Sequence, residues 1–134
     1  MYLAEKLKVP NLKFFPAIDK HLIPKALELS SAAVAAHEEL PIYQYGLSMN
    51  KLNDYMASGK PTVFACNVAN IVKDAGHFSI ARDDVKKMSS IIKKIKNLSS
   101  DEIKTLSTQA KEIMRRDYNY TIIGKNYVHM LETL

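Results

Sequence analysis

The sequence predicts an α/β fold, a three-layer sandwich in which a parallel sheet of about four short strands carries helices on both faces. Three observations predict it. Short apolar or small-residue runs (NLKFFPAI, SAAVAA, PTVFAC and HFSIA) alternate with helical stretches as far as Ala81. Such alternation implies right-handed crossovers and parallel strands. The chain has 134 residues, 47% apolar and 25% charged, which suits one domain with a buried core and is too hydrophobic for disorder.

Residues 2–8 read as the end of a helix, stopped by Pro10. Asn11 to Ile18 is short and aromatic, a strand pattern. Asp19 opens a helical stretch with Pro24 in its first turns and Ile23, Leu27 and Leu29 apolar. Ser31 to Ala36 suits a strand buried on both faces, although propensity alone also allows helix. Glu38 to Ser48 holds Pro41, two tyrosines and Gly46 and reads as a loop. Met49 to Ser58 is an amphipathic helix: Met49, Leu52, Tyr55 and Met56 share one face, Lys51 and Asp54 the other, and Gly59 is placed to cap its end. Pro61 to Cys66 is a buried strand, Val68 to Ala75 a short helix ended by Gly76, and His77 to Ala81 a short strand. The remainder is helical. Asp83 can cap a helix carrying Val85, Met88, Ile91, Ile92 and Ile95. Ser99 and Glu102 have capping-box spacing for the next, which buries Ile103, Leu106, Ala110 and Ile113. Thr121 to Leu134 offers Ile123, Tyr127, Met130, Leu131 and Leu134 for a last one. No repeat, low-complexity stretch or Gly/Ser linker interrupts the chain, so residues 1–134 read as a single domain.

No apolar run is long enough to cross a bilayer, and MYLAEKLKVP lacks the apolar core of a secretory signal. The single cysteine, Cys66, excludes an internal disulfide framework and a cysteine-rich zinc site, which suits a reducing cytoplasm; in its strand it reads as core. Net charge is +5, and Lys86, Lys87, Lys93, Lys94 and Lys96 share one helical stretch. A solvated helix face is one reading of these lysines; peripheral contact with the acidic inner face of the cytoplasmic membrane is the other. No nucleic-acid module or basic–aromatic pattern accompanies the charge, so nucleic acid is not expected as a partner. His37, Glu38 and Glu39 lack a second histidine in register, and no metal is expected there. His21, His77 and His129 read as surface or helix-end residues.

The chemistry concentrates in YQYGLSMNKLNDYMASGKPTVFAC, Tyr43 to Cys66. Gly46, Leu47 and Ser48 precede a helix whose N-terminus exposes unpaired N–H groups and a partial positive charge, a ready site for phosphate. Gly46 lets a ligand approach the backbone, and Ser48 can cap the helix or donate to a phosphate oxygen. Lys51 adds a full charge in the first turn. Asp54 lies three residues on, and its carboxylate can accept two hydrogen bonds side by side, as a ribose diol would offer. The competing reading is an N-cap serine and an i,i+3 surface pair.

Gly46-Leu-Ser-x-Asn-Lys-Leu-x-Asp-Tyr-Met-Ala-Ser-Gly-Lys-Pro resembles the signature of family-4 retaining glycosyltransferases of the GT-B class, in the branch reading Tyr-Gly-x-Ser-Pro-x-Lys-x-x-Asp/Glu-Tyr. That branch is common in bacterial capsule, O-antigen and exopolysaccharide synthesis. Supporting resemblance runs through Asn11-Leu-Lys-Phe-Phe-Pro, Ile23-Pro-Lys-Ala-Leu, Ser30-Ser-Ala-Ala-Val and Asp74-Ala-Gly. It implies the C-terminal, donor-binding half of two Rossmann-like lobes, with the first strand and its basic loop missing. The chain is then a fragment, inactive alone, and Met1 need not be a native start. Asp54 matches the second acidic residue of the family's Glu-x7-Glu motif, which implies ribose contact. Gly46 stands where the first glutamate falls, and Met49 replaces the usual proline. Leu47 and Ser48 match the diphosphate segment, and Lys51 the branch's lysine. Ala17 and Ile18 follow the strand whose backbone meets the base. The resemblance implies a nucleotide sugar as substrate, a glycan or lipid-linked acceptor on the other lobe, no metal or other cofactor, and an interface role for Tyr118, Tyr120 and Tyr127. It assigns no catalytic residue. The alternative is a non-catalytic α/β regulatory or scaffold domain.

Overall fold

In a computed structural model of the chain, residues 6–133 are described apart from 39, 46, 48, 69 and 70. Strands β1 (Ala33–Ala36), β2 (Thr62–Ala65) and β3 (Phe78–Ile80) form one parallel sheet in the order β1-β2-β3. Helix α1 (Ile23–Leu29) precedes the sheet, α2 (Asn50–Ser58) joins β1 to β2, and α3 (Ile71–Asp74) joins β2 to β3. Helices α4 (Val85–Lys96), α5 (Ser100–Asp117) and α6 (Tyr120–Glu132) follow.

β2 is the centre of the sheet, and its residues are apolar on both sides because both sides are covered. Phe64 and Cys66 face a core with Ala35, Leu52 and Met56 of α2, Val72 of α3 and Ala110 of α5. Val63 and Ala65 face the other way, with Ile80, against Met88, Ile91 and Ile95 of α4. Helices therefore lie on both faces, as the alternation predicts. Full burial of side chains such as Phe64, Leu52 and Met56 contributes about 1.5–3 kcal/mol each.

The fourth strand expected over Asn11 to Ile18 does not form; the segment is unpaired and exposed, with Phe15 at 81%. Aromatic content favours a strand only where a partner strand and a covering face exist, and this segment has neither among the described residues. β1 is buried on one face only: Ala33 and Ala35 point into the core, whereas Val34 is 49% exposed. α4 covers β2 and β3 but leaves that side of β1 open. Most of the helix expected over 2–8 lies outside the described residues, as does Leu134; Leu7 and Lys8 make a turn, with Lys8 at φ 48°. Part of the loop expected over 38–48 is a 3-10 turn at Pro41–Tyr45.

Caps fix the helix boundaries. Asp84, not Asp83, caps α4, its Oδ1 accepting from the Lys87 N–H at 2.8 Å. The Ser99–Glu102 box forms as its spacing predicts: Ser99 Oγ accepts from the Glu102 N–H, and Glu102 Oε2 accepts from the Ser99 N–H. The Ser99 N–H and the Ser99 hydroxyl, both donating to Oε2, hold the Glu102 carboxyl below its ordinary value. Only Ala110 is buried on α5, while Ile103 is exposed and Leu106 and Ile113 are half-buried; on α4, Val85 and Ile92 are exposed. Asn119 caps α6, its Oδ1 accepting from the Thr121 N–H, and the helix packs on α5.

Gly59 ends α2 at φ 71°, where α2 passes close to Ser107 and Lys111 of α5. Both the left-handed conformation and the close approach require glycine.

His77 is buried, contrary to its reading as a surface residue. Its Nδ1 accepts from the Thr62 N–H at 3.2 Å, and its Nε2–H donates to the Leu106 carbonyl at 2.9 Å. A neutral ring thereby ties the start of β2 to α5. Burial pushes the His77 pKa down, and the bond to the Leu106 carbonyl opposes this less strongly.

Two outcomes follow for stability. Gly59→Ala lowers unfolding free energy by about 2–4 kcal/mol in denaturant titration, the sum of left-handed strain and overlap with Ser107. Because the folded protein holds His77 neutral, the unfolded chain binds more protons below its ordinary pKa of 6.5, so stability is full above pH 6.5 and falls as the pH drops through the lowered folded value. Chemical denaturation between about pH 7 and pH 5 shows this slope, and His77→Asn, whose Oδ1 can still accept from the Thr62 N–H, flattens it.

Candidate functional site

β1 ends at Ala36, and the His37 N–H continues its ladder to the Ala65 carbonyl at 3.1 Å. The chain then turns through Pro41–Tyr45 and enters α2, which runs back along the sheet toward the start of β2. The N-terminus of α2 therefore lies at the carboxyl edge of a parallel sheet, where α/β folds place their ligands. Met49 stands at the N-cap, and its side chain accepts no hydrogen bond from the first turn. The positive end of α2 thus has no side-chain cap from that residue.

Asp54 sits one turn into α2, half-buried. It lines a cleft of about 370 Å³ between Pro24, Leu27 and Glu28 on α1 and Ala57 and Ser58 on its own helix. Lys60 closes the far end, its Nζ donating to the Glu28 carbonyl at 3.0 Å. The apolar face of α2 forms as its periodicity predicts: Leu52 and Met56 are buried and Tyr55 is half-buried against the same core. Lys51 is exposed one turn nearer the carboxyl edge and makes no ion pair with Asp54.

The other predicted residues divide. Leu47 packs against the core cluster, which leaves its backbone as the part that can meet a ligand. Gly46 and Ser48 lie outside the described residues. Ala17 and Ile18 are exposed just before the 3-10 turn at Lys20–Leu22, and neither lines the Asp54 cleft. The structure therefore brings Asp54 and α1 together and does not bring Ala17 or Ile18 to them.

Residues not singled out by spacing also meet at this edge. His37 Nδ1–H donates to the Glu38 carbonyl at 2.8 Å, which leaves Nε2 to accept from the Tyr43 hydroxyl at 3.1 Å. The two rings meet edge to face, with centroids 4.8 Å apart. Tyr43 is thus held by its own loop. Arg82, after β3, reaches Glu38 after β1 at 3.4 Å. These residues are 44 positions apart, a separation no local motif reveals. Among the described residues no three His, Cys, Asp or Glu side chains come together as a metal site, and no helix is long and apolar enough to cross a membrane.

No protein-family model, curated protein or solved structure matches this chain.

Proposed function

We propose that this chain is the donor-binding, C-terminal lobe of a GT-B retaining glycosyltransferase, one that passes a sugar from a nucleotide sugar to a glycan or lipid-linked acceptor in bacterial surface polysaccharide synthesis. The observation that carries the reading is the position of Asp54: half-buried in the α1–α2 cleft, one turn inside a helix that opens at the carboxyl edge of a parallel sheet. The resemblance of Tyr43 to Pro61 to the family signature supports it from the sequence.

In this reading the diphosphate lies at the N-terminus of α2, where backbone N–H groups and the Lys51 ammonium meet its charge. The ribose lies along α2, and Asp54 accepts from its two hydroxyls. The nucleotide sugar is the substrate, and no metal or further cofactor enters. A second lobe holds the acceptor in the cytoplasm. Apolar surface on this chain supports such a lobe: Phe14 and Phe15 before α1, Val34 on the open side of β1, and Ile123, Tyr127 and Leu131 on α6 are all exposed. Patches of this kind mark interaction surfaces.

Calorimetric titration of the chain with a panel of nucleoside diphosphates tests the site. Asp54→Ala weakens binding about tenfold or more, because a charged hydrogen bond contributes roughly 1.5–3 kcal/mol. A surface pair with Lys51 would contribute only about 0.2–0.5 kcal/mol and would leave affinity unchanged. Unchanged affinity with lowered thermal stability refutes the assignment. If no nucleoside diphosphate binds at all, the regulatory or scaffold reading takes its place.

The chain by itself transfers no sugar when incubated with a nucleotide sugar and a lipid-linked acceptor, since a two-lobe site acts only when closed around both substrates. Measurable turnover overturns the single-lobe reading.

A further inference from the structure

The carboxyl edge of the sheet carries a cleft of about 290 Å³, which shares no residue with the one that Asp54 lines. It opens where β2 and β3 end. Cys66 forms its floor, Asn67 and Ser79 contribute polar groups, and Lys73 and Lys87 stand at its sides. The two lysines come from helices on opposite faces of the sheet: α3 packs in the Phe64 core and α4 in the Val63 core. They converge only because both helices border this edge.

Lys87 also breaks a local rule. The first turn of α4 contains Lys86 and Lys87 and no acidic residue, although the positive end of a helix disfavours cations there. The Asp84 carboxylate at the N-cap meets only part of this charge. Neither Lys86 nor Lys87 forms an ion pair among the described residues. The same helix places Lys93, Lys94 and Lys96 in its last turn, where they suit the dipole. Lys87, held against the helix field at the carboxyl edge, lines the same polar cleft as Lys73, and two cations on one cleft suit an anionic ligand.

We propose that this cleft binds a phosphate group. Lys73 and Lys87 pair with the phosphate oxygens, and Asn67 and Ser79 supply neutral hydrogen bonds. Lysine suits this role as a point charge for phosphate. The inference is independent of the donor reading, since it involves neither α2 nor Asp54.

The test titrates the chain with inorganic pyrophosphate, followed by amide shifts in NMR, with vesicles of phosphatidylglycerol in phosphatidylcholine as a second arm. Pyrophosphate is expected to shift the Asn67, Ser79 and Lys87 amides. Lys73→Ala and Lys87→Ala each weaken it about tenfold, the loss of one charged hydrogen bond. Lys93→Ala, outside the cleft, leaves it unchanged. Lys87→Glu raises the melting temperature, because it complements the dipole of α4, yet abolishes binding; a purely structural lysine would show no binding change. Lys51→Ala leaves pyrophosphate binding at this cleft intact, which separates it from a diphosphate site at the start of α2. If only the anionic vesicles bind, and do so through Lys73 and Lys87 but not Lys93, the phosphate belongs to a lipid headgroup. Binding of neither probe, or equal loss in Lys93→Ala, overturns the proposal.

Discussion

The structure depends on the burial of β2 on both faces. Thr62, Val63, Phe64 and Ala65 have no more than 1% exposure, so no backbone group of this strand can rely on water. Each must be paired within the protein. β1 and β3 supply most of the partners through the two parallel ladders. The Thr62 N–H donates to His77 Nδ1, and the ring's Nε2–H donates in turn to the Leu106 carbonyl of α5. Thr62 Oγ1 donates to the Lys60 carbonyl. Among the described residues no buried side-chain nitrogen or oxygen is left without a partner. A central strand this dry forces helices onto both sides, and those helices fix everything else.

The same constraint sets the layout of the sheet's carboxyl edge. With three parallel strands, all carboxyl ends lie on one side of the molecule. The turns that follow β1, β2 and β3 therefore meet there: Glu38 reaches Arg82, 44 positions on, and Lys73 and Lys87 line one cleft. α2 and α4 both open at this edge, and their positive ends add to its cationic character. The Asp54 cleft lies further along α2, on the side toward α1.

Apolar exposure marks the opposite kind of region. The open side of β1, the segment around Phe14 and Phe15, and most of α6 present large apolar groups to solvent. Each has a helix or strand pattern yet lacks the second layer that would bury it. An α/β domain needs both layers to cover its sheet, and here α4 covers the β2–β3 side only. These surfaces are where further protein would pack in the two-lobe reading.

Local signals in the sequence determined the elements that need nothing beyond themselves. The continuous apolar run from Val63 to Cys66 defined β2, the spacing of Leu52, Tyr55 and Met56 defined the buried face of α2, and Gly59 and the Ser99–Glu102 box defined helix ends. Each rests on side-chain period or on a hydrogen bond within four residues, which the chain carries wherever it folds. The Asp54 motif was legible for the same reason, as a carboxylate one turn inside a helix opening after a glycine. Tertiary structure decided the rest. Asn11 to Ile18 has strand composition but found no partner, β1 found cover on one face only, and His77 became a buried bridge because β2 and α5 happen to pass on either side of its ring. Pairing, cover and long-range convergence depend on which segments meet, and sequence period holds no record of that.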